Sequence, residues 1–144
     1  MRSNGLDEIK PTYNLLKLTF GLVPIVAGLD KFTNLLTRWE QYVSPAFGSI
    51  LPFSPRTLMM IVGIIEIAAG IIVLKKAELG AYIVSAWLAV IALTLLIGGM
   101  YLDVAVRDLV MAVGAFSFAR IAGLMPKEEQ SAKNYVLHPV KAGR

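Results

Sequence analysis

Four long apolar runs, separated by short polar segments, dominate the hydropathy pattern of the chain. The third run, residues 79–102, contains no charged side chain. At about 1.5 Å per helical residue, a run of this length can cross a hydrocarbon layer of about 30 Å. We therefore predict an all-α integral membrane protein, folded as an antiparallel four-helix bundle. Its spans are predicted at about residues 13–36, 56–75, 79–102 and 104–124.

The polar segments between these runs complete the predicted organisation. The bundle is expected to occupy residues 1–125, and residues 126–144 to form a polar cytoplasmic tail. Ser54 and Pro55 suit the start of the second span, because serine caps helices and proline favours the first helical position. Aromatic residues recur through the long connection 37–53, which we expect to lie along the outer membrane interface and to be partly helical.

Composition supports a membrane location and excludes several kinds of site. The 144-residue chain is 56% hydrophobic, with a mean hydropathy of +0.66, whereas soluble domains average about 45–50% apolar residues. It has no cysteine and only one histidine, His138, which lies in the tail. Haem, iron–sulfur and zinc sites therefore lack ligands. We predict no metal and no covalently bound cofactor, and a quinone or a lipid stays open as a non-covalent ligand.

The distribution of basic residues predicts the orientation. With four spans, both termini and the connection between spans two and three share one side. Ten of the 14 lysines and arginines lie on that side, which the positive-inside rule assigns to the cytoplasm. We predict a multi-pass protein of the bacterial cytoplasmic (inner) membrane with both termini cytoplasmic. Contact with anionic lipid headgroups accounts for the net charge of +4, and no nucleic-acid partner is expected.

Helical spacing brings small residues and isolated charges onto common faces. Gly63, Glu66 and Gly70 share a face in span two, and Gly28 and Lys31 do so in span one. Because small residues let helices approach closely in lipid, we predict that Glu66 faces a neighbouring helix.

The predicted packing face of span four includes Arg107. Arg107 aligns with Met111, Gly114 and Phe118 at helical spacing. Asp103 precedes Arg107 by four residues, a spacing that suits a helical ion pair, and Asp108 is expected to point away from that pair.

These faces predict one polar cluster, formed by Asp30, Lys31, Glu66 and Arg107. An unpaired ionised acid near the midplane costs at least about 2.5–3.5 kcal/mol on the insertion scale, so Glu66 must be protonated or paired with a base. Two interpretations stay open. The cluster either fixes the register of the helices or binds a small polar ligand, a quinone head or a proton.

Three segments carry a family resemblance: "LTFGLVPIVAGLDKF" of span one, "GIIEIAAGIIVL" of span two and "YLDVAVRDLVMAVGAFSFARI" of span four. In these segments the chain resembles the DoxX family of small bacterial membrane proteins. Together these segments extend over roughly residues 15–121. In this resemblance Lys31 and Glu66 match a recurring base and acid, and Arg107 and Asp108 match an "RD" pair. Span three lacks the histidine that many members carry.

The resemblance implies a four-helix inner-membrane fold associated with redox systems. We therefore expect a non-catalytic accessory subunit of a larger respiratory or other electron-transfer complex, with no catalytic activity alone. Its partners would be the lipid bilayer and a larger membrane complex or further copies of the chain. The alternative is a protein that binds quinone or a small solute, or relays protons, through Glu66, Lys31 and Arg107.

Overall fold

The computed structural model describes residues 2–125, and its regular structure is entirely helical. The predicted tail, residues 126–144, lies outside the described residues. The all-α prediction is confirmed for residues 2–125. The helices are α1 (Arg2–Thr33), α2 (Pro45–Ile50), α3 (Pro55–Lys75), α4 (Ala77–Gly98) and α5 (Leu102–Leu124), with one 3-10 turn, Trp39–Tyr42, between α1 and α2.

The four long helices correspond to the four predicted spans. Helix α1 begins eleven residues before the predicted start of span one and ends at Thr33. The start of α3 is as predicted, because the Ser54 side chain accepts a hydrogen bond from Thr57 N and Pro55 occupies the first turn. By length and composition, α3 and α4 are the two described helices that qualify as candidate membrane spans.

The long helices pack as two close pairs, α1 with α3 and α4 with α5, and α3 joins the pairs by packing on α4. Glycines determine how closely α1 approaches α3. A Cβ added at Gly28 would lie 2.5 Å from the backbone oxygen of Gly63, and one added at Gly70 would collide with the backbone oxygen of Gly21. The two contacts show that α1 and α3 run antiparallel, with Gly28 opposite Gly63 and Gly21 opposite Gly70.

The interior is made of small residues, a few larger side chains and charges. Most of the buried apolar residues are alanines, and Phe118 and Val73 are the largest fully buried side chains. The rings of Tyr13 and Phe20 pack against Phe118, with ring centroids 5.7 and 6.0 Å away. Close helix packing through small residues, as in the α1–α3 pair, is typical of helices that associate in lipid.

The outside of the helices is rich in large aliphatic side chains. Exposed leucines, isoleucines and valines occur on each of the four long helices. In α1 they include Leu15, Leu18, Leu22, Val23, Val26 and Leu29, and in α5 they include Val106, Val110 and Val113. Isolated apolar residues are common on any protein surface, whereas large apolar patches mark contact with a partner or with lipid.

Candidate functional site

An ion pair buried between α1 and α3 forms the centre of the candidate site. Lys31 Nζ donates a hydrogen bond to Glu66 Oε2 at 2.6 Å, and the two side chains are 3% and 11% exposed. Lys31 lies one helical turn beyond Gly28, and Glu66 lies one turn beyond Gly63. Because α1 and α3 are antiparallel, their side chains must extend toward each other along the helices to meet.

The close approach at the glycines therefore makes the pair possible. The absence of a side chain at Gly28 and Gly63 lets the two backbones meet there, and Lys31 Cβ packs against Gly63. The prediction that Glu66 faces a neighbouring helix is confirmed, since Gly63, Glu66 and Gly70 are all buried. A buried pair of this kind offsets its desolvation only with good geometry and further polar contacts.

Trp39 supplies such a contact from the loop between α1 and α3, residues 34–54. Its indole ring lies over the ammonium group of Lys31, with Nζ 3.5 Å from the ring centroid. This cation–π contact covers the ion pair at the loop end of α1. The ammonium group of Lys31 therefore contacts both the Glu66 carboxylate and the face of the Trp39 ring.

Asp30 holds Trp39 in this position. Its Oδ2 accepts a hydrogen bond from Trp39 Nε1 at 2.7 Å, and its Oδ1 accepts from the backbone N–H groups of Leu35 and Leu36 at 2.9 and 3.0 Å. Thr33 Oγ1 donates a longer bond at 3.3 Å. Although adjacent in sequence, Asp30 and Lys31 therefore have different roles. Asp30 terminates α1 and anchors the loop, while Lys31 pairs with Glu66.

Glu40 stabilises the same loop from its exposed side. Its carboxylate accepts hydrogen bonds from Asn34 Nδ2 at 3.0 Å and from Arg56 Nη1 at 3.1 Å. Hydrogen bonding from its own backbone N–H, then from Asn34, lowers the pKa of Glu40 below its ordinary value of 4.5. Tyr42 continues the contact toward the α4–α5 turn by packing edge-on against Tyr101, with centroids 4.7 Å apart.

Arg107 and Asp108 occupy positions that differ from the prediction. The structure exposes Arg107 and buries Asp108, which is 9% exposed. Among residues 2–125, Arg107 forms no salt bridge with Glu66. Met111, predicted on the same packing face, is exposed as well. Of the predicted face, Phe118 is fully buried as expected. The buried residues of α5 are Ala105, Asp108, Ala112, Ala115, Phe118 and Ala119.

The structure also places a buried hydrogen-bond donor of α4 in this site. Trp87 Nε1 lies beside the Glu66 carboxylate, yet it has no hydrogen-bond acceptor of good geometry within the described part of the chain. Asp108 is within electrostatic range of Arg107, the residue before it, and of Glu66 and Lys31. The site therefore combines residues of all four long helices: Lys31, Glu66, Trp87 and Asp108. Alanines recur at helical spacing on either side of Asp108, and this pattern is the sequence signal that identifies the buried face of α5.

A second feature lies at the opposite end of the helices. An open cleft there is lined by Glu78, Tyr82, Ala119, Arg120, Gly123 and Leu124. It is separate from the Lys31–Glu66 pair, because Glu78 begins α4 and Arg120 is near the end of α5. Within residues 2–125 there is no group of three or more histidines, cysteines, aspartates or glutamates that could hold a metal ion.

Comparisons with known proteins leave the family open. No family model matches the chain, and neither the curated proteins nor the solved structures compared with it give a match.

Proposed function

We propose that the chain is a four-span membrane protein, an antiparallel bundle of α1, α3, α4 and α5 embedded in the bacterial cytoplasmic membrane. One observation carries this proposal: the usual distribution of side chains is inverted. Lys31, Glu66 and Asp108 are buried with alanines and glycines, while most of the large aliphatic residues are exposed. In water this arrangement would leave a large apolar surface uncovered, whereas acyl chains solvate it directly.

The buried charged residues of α1 are compatible with a membrane span. Lys31 is paired with Glu66 and covered by Trp39, and Asp30 accepts hydrogen bonds at the end of α1. Intramembrane ionisable groups of this kind face the bundle interior and pair with one another. The excess of basic residues at the termini and at the α3–α4 turn favours cytoplasmic termini.

Within that membrane, the function we propose is that of a DoxX-like, non-catalytic accessory subunit of a larger respiratory or other electron-transfer complex. The aliphatic surfaces of α1 and α5 support it, because they are available to further membrane helices as well as to lipid. Lys31 is hydrogen-bonded to Glu66 and covered by Trp39. These contacts support a structural role for the cluster, which is to fix the packing of α1 on α3.

Purification in a mild detergent tests this function. We expect the 15.7-kDa chain to elute in a stable assembly with larger subunits that carry a redox cofactor in fixed stoichiometry. The Glu66→Gln variant, purified in the same way, should form this assembly in lower yield. A homogeneous oligomer of this chain alone, with bound quinone, would contradict the accessory role and favour the alternative in which Glu66 and Lys31 bind a ligand.

One observation favours that alternative as a second candidate. Trp87 Nε1 is buried beside the Lys31–Glu66 pair and has no hydrogen-bond acceptor among the described residues. Buried polar groups are normally satisfied, so a ligand oxygen that reached this position would accept a hydrogen bond from the indole.

A further inference from the structure

The open cleft between the start of α4 and the end of α5 brings together one acid and one base. Glu78 lies in the first turn of α4 and Arg120 lies four residues before the end of α5. Both side chains line the same cleft of about 210 Å³. Both residues are exposed, and among residues 2–125 neither forms a salt bridge. Two opposite charges are therefore available to a ligand that enters the cleft.

The Glu78 side chain crosses from α4 to α5. Its Oε1 lies 2.8 Å from the position that a Cβ on Gly123 would occupy, and its carboxyl carbon lies 3.2 Å from that position. Gly123 therefore leaves room for the carboxylate at the wall of the cleft, and a larger residue there would displace it. The helix packing thus defines where the negative charge of Glu78 lies, although the side chain is exposed.

An apolar strip continues from the cleft along the outside of α5. Phe116 and Val113 precede Arg120 by four and seven residues, so the three side chains share a face. Phe116 and Val113 are 50% and 67% exposed. On α4, Tyr82 lies one turn beyond Glu78 and packs edge-on against Phe116, with ring centroids 5.8 Å apart. A charged end followed by aromatic and aliphatic side chains matches a molecule with a polar head and an acyl chain.

The size and the charges of the cleft identify the class of headgroup. A volume of about 210 Å³ is smaller than the roughly 300–1,000 Å³ of pockets for drug-sized ligands, so the cleft suits a small group. A phosphate alone would be attracted by Arg120 and repelled by Glu78, and an ammonium group alone would experience the reverse. A zwitterion that carries both groups matches both charges. Lys75 and Lys76, the cations nearest to Glu78 in the sequence, are exposed and do not line the cleft.

We propose that this cleft binds the headgroup of an aminophospholipid, in which a phosphate is esterified to ethanolamine. The Arg120 guanidinium group binds the phosphate, and the Glu78 carboxylate accepts hydrogen bonds from the ammonium group. One acyl chain lies against Phe116 and Val113. The inference rests on the membrane placement proposed above, in which the start of α4 and the end of α5 lie in the headgroup layer of the cytoplasmic leaflet.

Native mass spectrometry of the full-length protein, released from a non-ionic detergent, tests this proposal. The affinity of the first bound lipid is compared for phosphatidylethanolamine, phosphatidylcholine and phosphatidylglycerol with identical acyl chains. Wild-type protein should bind phosphatidylethanolamine about three- to fivefold more tightly than the other two, the range expected for one exposed ion pair. The reason is that choline offers no N–H group and glycerol carries no positive charge. Equal affinities for the three lipids would overturn the proposal.

Three variants separate the contributions of the two charges. Glu78→Gln should abolish the preference for phosphatidylethanolamine over phosphatidylcholine, and Arg120→Gln should weaken the binding of all three lipids. Gly123→Ala retains both charges but displaces the Glu78 carboxylate, so it should reduce the same preference. Circular dichroism and gel filtration identify any variant that misfolds, and the lipid preference of wild-type protein does not depend on the variants.

Two matched controls remove charges that do not line the cleft. Asp103→Asn removes an acid from the first turn of α5, as Glu78→Gln does from the first turn of α4. Lys75→Gln removes an exposed base at the same end of the bundle as Arg120. Both controls should keep the wild-type affinities. A preference that survives Glu78→Gln, or that Asp103→Asn abolishes equally, would overturn the proposal.

A soluble competitor distinguishes a lipid from a free headgroup compound. Phosphoethanolamine carries the same two charges without acyl chains, so it should displace phosphatidylethanolamine only in more than about tenfold excess. Displacement at equal concentration would overturn the assignment to a lipid. Membrane placement is read separately, by cysteine labelling. A chain that proves to span the membrane but shows no lipid preference would refute this inference alone.

Discussion

Lys31 Nζ and Glu66 Oε2 are 2.6 Å apart, although their positions on the antiparallel helices α1 and α3 are offset along the axis by about two turns. The close packing at Gly28 and Gly63 allows the two side chains to bridge this offset. The ion pair and the glycine contact are thus parts of one arrangement, and a change in either should affect the other.

The first prediction concerns removal of one partner of the pair. Lys31→Met and Glu66→Met should each destabilise the protein by about 3–5 kcal/mol, because each leaves the other charge buried and uncompensated. The double variant Lys31→Met/Glu66→Met should recover most of the loss. Unfolding in mixed micelles with increasing SDS measures these free energies, and additive losses in the double variant would contradict a direct interaction.

The second prediction concerns the glycine contact. Gly63→Ala adds a methyl group 2.7 Å from the backbone oxygen of Gly28, where neither helix can yield without moving. We expect a loss of about 1–3 kcal/mol from this overpacking. Gly48→Ala is the matched control, because nothing lies within 4 Å of its added Cβ. Equal stability of the two variants in the same SDS titration would refute the close α1–α3 approach.

The third prediction separates the two roles of Trp39. Trp39→Phe keeps a ring over Lys31 but removes the hydrogen bond to Asp30, and should cost about 1.5–3 kcal/mol. Trp39→Leu also removes the cation–π contact and should cost about 0.5–2 kcal/mol more. Phe53→Leu, at an exposed aromatic of the same loop, is the control. The SDS titration checks this order, and a Trp39→Leu variant as stable as Trp39→Phe would exclude an energetic role for the ring.

The fourth prediction concerns acid pH. Since the pKa of Glu40 is lowered on folding, its contribution to stability is complete above pH 4.5. It is lost as the pH falls through the lower folded value. The chain has two tryptophans, so in a Trp87→Phe background the fluorescence reports Trp39 alone. Its emission should shift on acidification, and adding Glu40→Gln should reduce that acid step. Identical titrations with and without Glu40→Gln would show that Glu40 does not hold the loop.

Much of the fold could be predicted from periodicity. The positions of the four long helices, the cap at Ser54 and the buried face with Gly63, Glu66 and Gly70 all followed from spacing and from small residues. The extension of α1 to Arg2 did not, because the polar residues before Tyr13 show no apolar run. The Lys31–Glu66 pair was predictable because an acid in the middle of an apolar run needs a base, and Lys31 was a candidate on the facing span.

The position of α5 was predicted less well, for a physical reason. Charge attraction suggested that Arg107 faces Glu66, but a long flexible arginine near a helix end can keep its charge at the surface. The stripe of alanines at positions 105, 112, 115 and 119 identifies the packing face, and Asp108 belongs to it. The role of Trp39 depends on the path of the loop, which periodicity does not describe.

Cysteine labelling in native membranes tests the central claim most directly, since the chain has no cysteine of its own. Single cysteines at Leu22 of α1 and Val110 of α5, which are 48% and 66% exposed, should resist a membrane-impermeant maleimide. Cysteines at Ser49 and Lys76 should react from opposite sides of the membrane. Rapid labelling at Leu22 and Val110 in intact membranes would instead show that these aliphatic surfaces face water, and would contradict a four-span bundle.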